Sequence, residues 1–241
     1  MDTLAVILDA PGQIDLRTLA LSDLGDGDVL VDVEWSGVSS GTEKLLWTGQ
    51  MPSFPGMGYP LVPGYESVGR VVDAGSDARH MIGAWVFVPG ANCFVDARGL
   101  FGGSARHLVL PAHRAIPISE SLGRNGILMA LAATAHHAVA GGPLPELIVG
   151  HGILGQLIAR IVLAKGGAAP MVWETNPARH DGNGYGVMHP DADDRHDYRT
   201  VLDASGASDI FDTLIGRMAR QGELILAGFY TQISFRFPPA C

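Results

Sequence analysis

The chain has 241 residues, 47% of them hydrophobic and 17% charged, with 25 acidic against 16 basic side chains and a formal net charge of −9. That composition excludes a disordered chain and supports a sizeable core, and an acidic balance with no Lys/Arg cluster argues against nucleic acid as a partner. Two cysteines, Cys93 and Cys241, make no disulfide framework and no CxxC pair, the N-terminus has no basic stretch ahead of an apolar one, and the longest apolar run, 127–140, is interrupted by His136 and His137. A cytoplasmic protein without a transmembrane segment is expected.

In chain order, Thr3–Leu8 and Val29–Trp35 read as strands, with a further extended piece at Ile14, Leu16 and Leu19 between them. Ser36–Gly41 is a loop of small residues, and Thr42–Thr48 is a short helix with Thr42 as its expected N-cap. Gln50–Pro63 has too much Pro and Gly for a regular element. Gly64–Asp73, Ala84–Pro89 and Ser104–Leu110 are the next strands, and Arg114–Pro117 leads out. From Gly126 the pattern changes. Gly126–Val139 is helical, Glu146–Val149, Met171–Glu174, Gly186–His189, Tyr198–Asp203 and Glu223–Phe229 are strand candidates, and Asp209–Arg220 is an amphipathic helix with Ile210, Phe211, Leu214, Ile215 and Met218 on one face. Thr175–Tyr185 holds at most a short helix. The expected fold is α/β: a β-rich domain over 1–122, then a doubly wound parallel sheet over 123–241. The chain stops at Cys241 without a closing helix, which predicts a C-terminally shortened chain.

The motif that organises this pattern is Leu147–Arg160. A short apolar run ends at Val149, then Gly150, Gly152 and Gly155 stand in GxGxxG spacing, and Ile153, Leu154, Leu157, Ile158 and Ile161 follow at helical spacing. The first glycine permits the turn, the second admits a pyrophosphate, and the third lets helix pack on strand, while the helix start offers N–H groups to phosphate. A second apolar run ends at Glu174, 19 residues after Gly155, where an acid would accept bonds from the ribose hydroxyls and repel a 2′-phosphate. The cofactor implied is NAD. His151, inside the turn, is expected to cover the pyrophosphate, and Ser205 to lie on the adenosine side at the end of the fourth strand.

A β-rich N-terminal half before a nucleotide-binding sheet resembles the medium-chain dehydrogenases, whose first half is a GroES-like domain and whose second is a Rossmann sheet. Val33–Glu43 resembles the stretch that carries the first metal-binding Cys of the zinc alcohol dehydrogenases, and Pro63–Val71 resembles the Gly-His-Glu segment with the second ligand. Thr134 matches a residue that lines the nicotinamide. Here Ser39 stands at the Cys position, Tyr65 at the His position and Ala130 near the third, and the four-cysteine lobe is absent. The metal chemistry does not carry over, and no metal is expected. Trp35–Val72, Val88–Pro111 and Phe229–Pro239 resemble, more narrowly, the dehydrogenases of bacteriochlorophyll synthesis. That resemblance implies NAD-dependent, zinc-independent oxidation of the 3-(1-hydroxyethyl) group of bacteriochlorophyllide a to 3-acetyl. The wider resemblance to medium-chain dehydrogenases implies a homodimer paired through the nucleotide sheet.

Without zinc, other groups must take the hydroxyl proton and stabilise the developing alkoxide. The expectation is a hydroxyl relay of Ser39 and Tyr65, extended to solvent by Thr42, with His137 (or its neighbour His136) as a base or as a ligand for a pigment magnesium. Trp47, Met51, Phe54, Met57 and Tyr59 would wall a flat tetrapyrrole, or would simply anchor their loop on the core. Glu66 is expected to pair with an Arg. A zinc-free quinone or enoyl reductase, and a nucleotide- or pigment-binding protein without turnover, remain the alternative functions.

Overall fold

The computed structural model describes residues 1–99, 101–182, 184–228 and 230. The chain divides into two compact units, Met1–Ala130 and Leu131–Cys241.

In the first unit, β1 (Asp2–Ala10) and β2 (Gln13–Ala20) form an antiparallel hairpin. A second antiparallel sheet has the order β6 (His107–Pro111), β3 (Asp28–Ser36), β4 (Ser67–Ala74), β5 (Trp85–Val88), β7 (Ile116–Pro117) among the described residues. The largest apolar cluster, which includes Ile7, Val29, Val31, Val71, Val86 and Leu108, fills this unit. Helix α1 spans Thr42–Thr48 as the spacing predicts, and it ends in the left-handed Gly49, whose N–H returns to the Leu45 and Leu46 carbonyls. Its start differs from expectation. The N-cap is Gly41, and Thr42 does not cap, because its hydroxyl is used elsewhere; Ser39 Oγ instead accepts the Thr42 N–H at 3.3 Å.

In the second unit, α2 (Met129–Ala138, its first two residues in the first unit) follows a 3₁₀ stretch from Glu120, so the predicted helix over 126–139 is only partly α-helical. The parallel sheet has the order β10 (Gly186–Met188), β9 (Met171–Trp173), β8 (Leu147–Val149), β11 (Tyr198–Asp203), β12 (Met218–Leu226). Leu147, Ile148 and Val149 are wholly buried because β8 has a strand on either side and apolar layers on both faces. Helix α3 (Ile153–Ala164) buries Ile158, Ala159 and Val162. Strand order reverses between β8 and β11, the place where an open parallel sheet opens a ligand crevice.

The helix expected over 209–220 is shorter. Helix α4 covers Phe211–Arg217, after a 3₁₀ turn at Ser208–Ile210, and Met218 begins β12. Parallel pairing of Tyr198 with Met218 and of Thr200–Asp203 with Glu223–Leu226 takes these residues into the sheet. Arg217 bonds the Asp193 carbonyl and lies 5.7 Å over the Trp173 ring, which holds the last helical turn in place. No helix among the described residues is long and apolar enough to cross a membrane. Of Phe229–Pro239, only Tyr230 falls within the described residues.

Candidate functional site

The glycine turn has the geometry its spacing predicts. Gly150 sits at φ 93° and lies against Ser205, so that a Cβ there would be 3.0 Å from the Ser205 Cα. A Cβ on Gly155 would come within 1.9 Å of the Gly150 carbonyl oxygen, the close helix–strand approach that only glycine permits. A Cβ on Gly152 would meet nothing within 4 Å. This open glycine is the N-cap of α3, no side chain caps it, and the first-turn residues are Ile153, Leu154 and Gly155. An uncapped helix start beside open space suits a diphosphate.

Glu174 is 8% exposed at the end of β9. Its carboxylate accepts the Asn176 N–H at 2.8 Å and the His151 N–H at 3.1 Å, and Arg179 lies 3.8 Å away. Burial pushes its pKa up, but these N–H groups and the Arg179 charge outweigh that and hold it below the usual value. A carboxylate has about four acceptor positions, so two backbone bonds and one long ion pair leave it able to take ribose hydroxyls.

His151 does not cover the turn. The ring is 1% exposed, its Nδ1–H donates to the Arg179 carbonyl, and the Tyr185 hydroxyl donates to Nε2 at 2.8 Å. It braces the connection after β9 against the glycine turn, which aims Glu174. Ser205 helps in the same way: its N–H bonds Asp203 at 2.9 Å and its hydroxyl accepts the Ala207 N–H, fixing the loop that Gly150 touches.

In the first unit, Ser39, Thr42 and Tyr65 come together. The Thr42 and Tyr65 hydroxyls are 3.1 Å apart; burial raises the Tyr65 pKa, the Ser39 and Thr42 hydroxyls pull it only part of the way back, and the phenol stays above its ordinary value. The turn that delivers Tyr65 depends on Gly64, at φ 99°, where a Cβ would stand 2.4 Å from Ser104 Oγ. Phe101 meets the Tyr65 ring edge-on at 5.2 Å.

Two carboxyls complete this cluster. Glu66 is 4% exposed, and it has no Arg partner among the described residues, contrary to expectation. Gly37 closes over it, a Cβ there reaching within 2.3 Å of Oε2. Glu43, one residue into α1, has both carboxyl oxygens buried without a hydrogen-bond partner, and Glu66 Oε1 is in the same state. Burial raises both pKa values, and that of Glu43 is pushed up to about 7 with a further contribution from the Glu66 charge. Sequence reading missed Glu43 and Phe101. A Thr-Glu pair at a helix start looks like an ordinary first-turn acid, and no local signal places Phe101 beside Tyr65.

The remaining candidates lie elsewhere. Met51, Phe54, Met57 and Tyr59 pack with Leu8, Leu46 and Leu61, and the Tyr59 hydroxyl donates to the Leu46 carbonyl, so these side chains anchor the loop. Trp47 is 39% exposed. On α2, Thr134, His136 and His137 are exposed, and neither His side chain has a partner among the described residues.

The donor set at the positions of the zinc ligands does not fit zinc. Zn²⁺ takes thiolate, imidazole or ionised carboxylate. Ser39 and Tyr65 offer hydroxyls, Glu43 and Glu66 are pushed toward their neutral forms, and Cys93 lies in the apolar core with its thiol pushed up to about 11 by burial. Among the described residues no three His, Cys, Asp or Glu converge.

Residues 25–120 match the alcohol dehydrogenase GroES-like domain. Over its whole length the chain is 55% identical to the 2-desacetyl-2-hydroxyethyl bacteriochlorophyllide A dehydrogenase of Rhodobacter capsulatus, covering 78% of that protein. The chain belongs to the 2-desacetyl-2-hydroxyethyl bacteriochlorophyllide A dehydrogenase family. A second member of this dehydrogenase family, from Cereibacter sphaeroides, is 53% identical, again over the whole chain and 78% of the relative. Solved dehydrogenase structures share the fold: a zinc-binding dehydrogenase of Sinorhizobium meliloti bound to NADP (TM-score 0.82, 21% identity, 98% of this chain and 80% of that one) and the 2R,3R-butanediol dehydrogenase of Bacillus subtilis (0.81, 19%, 98% and 80%).

Proposed function

We propose that this chain is a dehydrogenase that oxidises the hydroxyethyl substituent of a bacteriochlorophyllide to an acetyl group with a nicotinamide dinucleotide. The observation that carries this reading is 55% identity across the full chain to a dehydrogenase of that substrate, joined to an open, uncapped glycine turn. The relative's name states the chemistry: a hydroxyethyl group stands where acetyl is missing, and removing two hydrogens makes that acetyl.

The oxidised nicotinamide supplies the hydride acceptor. The protein's own residues do the rest. Gly150, Gly152 and Gly155 with the first turn of α3 hold the diphosphate, and Glu174 takes the ribose hydroxyls. Because Glu174 is ionised and Arg179 already leans on it, a 2′-phosphate would meet a buried negative charge, so NAD is the expected cofactor. Tyr65, oriented by Thr42 and Ser39, accepts the substrate hydroxyl and passes its proton on. A metal has no part in this reading, and His137 has no assigned role. Partnering with a second copy through the nucleotide sheet is expected by analogy with medium-chain dehydrogenases.

A ketone conjugated with the macrocycle moves its long-wavelength band to the red. Protein mixed with NAD and hydroxyethyl bacteriochlorophyllide is expected to give that red shift together with NADH. Pigment binding without a shift would overturn the enzymatic reading and leave a binding protein; a preference for NADPH with a quinone would favour a reductase.

A further inference from the structure

Resting on the dehydrogenase reading, we propose that Glu43 and Glu66 form a two-carboxyl proton store that receives the substrate's hydroxyl proton by way of Tyr65. The geometry points there because three carboxyl oxygens, both of Glu43 and Oε1 of Glu66, are buried with no donor to satisfy them. A buried orphan acceptor is costly, and a buried unpaired charge more so. Natural cores satisfy such groups, and no cation among the described residues approaches either one. Taking up a proton relieves that cost, and the charge of one carboxyl raises the proton affinity of the other.

The titratable groups that face Glu43 among the described residues are Tyr65 and Glu66, both on the segment that enters β4; the Ser39 and Glu43 N–H groups stand near enough to offset part of its burial without making a hydrogen bond to it. Tyr65 is itself held above the ordinary phenol range by burial, with both carboxyls adding to that, so it relays a proton better than it keeps a negative charge. Glu43, pushed up to about 7, is matched to accept one near neutral pH.

The step balances. The carbinol C–H bond breaks and its hydride, with the electron pair, goes to the oxidised nicotinamide. The substrate O–H proton moves to the Tyr65 oxygen, the Tyr65 proton passes to the Thr42 hydroxyl 3.1 Å away and from it to the Glu43 carboxylate, which no other group holds and which turns to meet it, and the C=O bond forms. Reduced cofactor, ketone and one protonated carboxyl result. Glu66, walled off by Gly37, raises the proton affinity of Glu43 through its negative charge.

Two measurements test this on the whole protein. First, ¹³C-labelled glutamate carboxyls are titrated by NMR without substrate. One resonance is expected to titrate near 7, to vanish in Glu43→Gln, and to move down in Glu66→Gln as the like charge is removed. All carboxyls titrating in the ordinary range in a folded protein would overturn the store. Second, Glu43→Gln is expected to lower kcat by about 100-fold and to erase the limb of the kcat–pH profile near 7, with NAD affinity unchanged. Glu43→Asp is expected to retain a titrating limb. An unchanged profile in Glu43→Gln would overturn the catalytic role. No ketone from the wild type would sink the dehydrogenase reading instead, and the NMR titration would still decide the store.

Discussion

At the scale of single residues, the two halves use polar groups in opposite ways. Asp193 is buried but fully satisfied: Trp173 Nε1 and the Tyr198 hydroxyl donate to one oxygen at 2.7 and 2.6 Å, and the Arg195 N–H donates to the other. Asp193→Ala strands two buried donors, so a loss of about 2–4 kcal/mol is expected, read from urea unfolding. The Glu43 carboxyl is buried and unsatisfied. An acid whose folded-state pKa is raised binds its proton more tightly in the folded chain. Its stabilising effect is therefore full below the unfolded value of 4.5 and is lost as pH rises through about 7. Glu43→Gln is expected to flatten the fall in melting temperature between those pH values and to leave the protein more stable at pH 8. Tyr65→Phe removes the relay hydroxyl but keeps the contact with Phe101. Turnover is expected to fall at least about 100-fold, with little change in melting temperature; unchanged turnover would remove Tyr65 from the chemistry. Glu174→Gln is expected to lower kcat/KM for NAD and raise it for NADP, each by about tenfold, a change of about 1.4 kcal/mol apiece.

At the scale of elements, the glycine turn separates binding from folding. Gly155→Ala drives a methyl into the Gly150 carbonyl, and it is expected to destabilise the second unit by about 1–3 kcal/mol as well as weaken cofactor binding. Gly152→Ala places its methyl in open space, at an extended backbone conformation that alanine adopts readily. It is expected to leave the melting temperature nearly unchanged yet weaken NAD binding, because that space is where the diphosphate approaches. Equal loss of stability in both variants would argue against this division. The elements also mark what local sequence conveys. Strand β11 and helix α1 have the boundaries their patterns predict, since each carries its own punctuation: a buried apolar run, or a helix closed by Gly49. The helix after Ser208 loses its last turn, because apolar periodicity is blind to the partner strand that claims Met218.

For the molecule as a whole, the sequence alone determined the two-part layout, the order of strand and helix in the second unit, the glycine turn and the acid at 174. Each depends on residues within about 25 positions of one another, and backbone sterics and periodicity act at that range. Only the tertiary structure decided what surrounds the hydroxyl cluster. It brought Phe101 to Tyr65 and Glu43 near Glu66, and it seated the Met and aromatic side chains of the 50–63 loop on a small core. It also turned His151 inward to brace Glu174. Proton affinity follows burial and neighbouring charge, and both are set by chain segments far apart in sequence, so the acid that reads as an ordinary first-turn glutamate becomes, once folded, a group poised near neutrality.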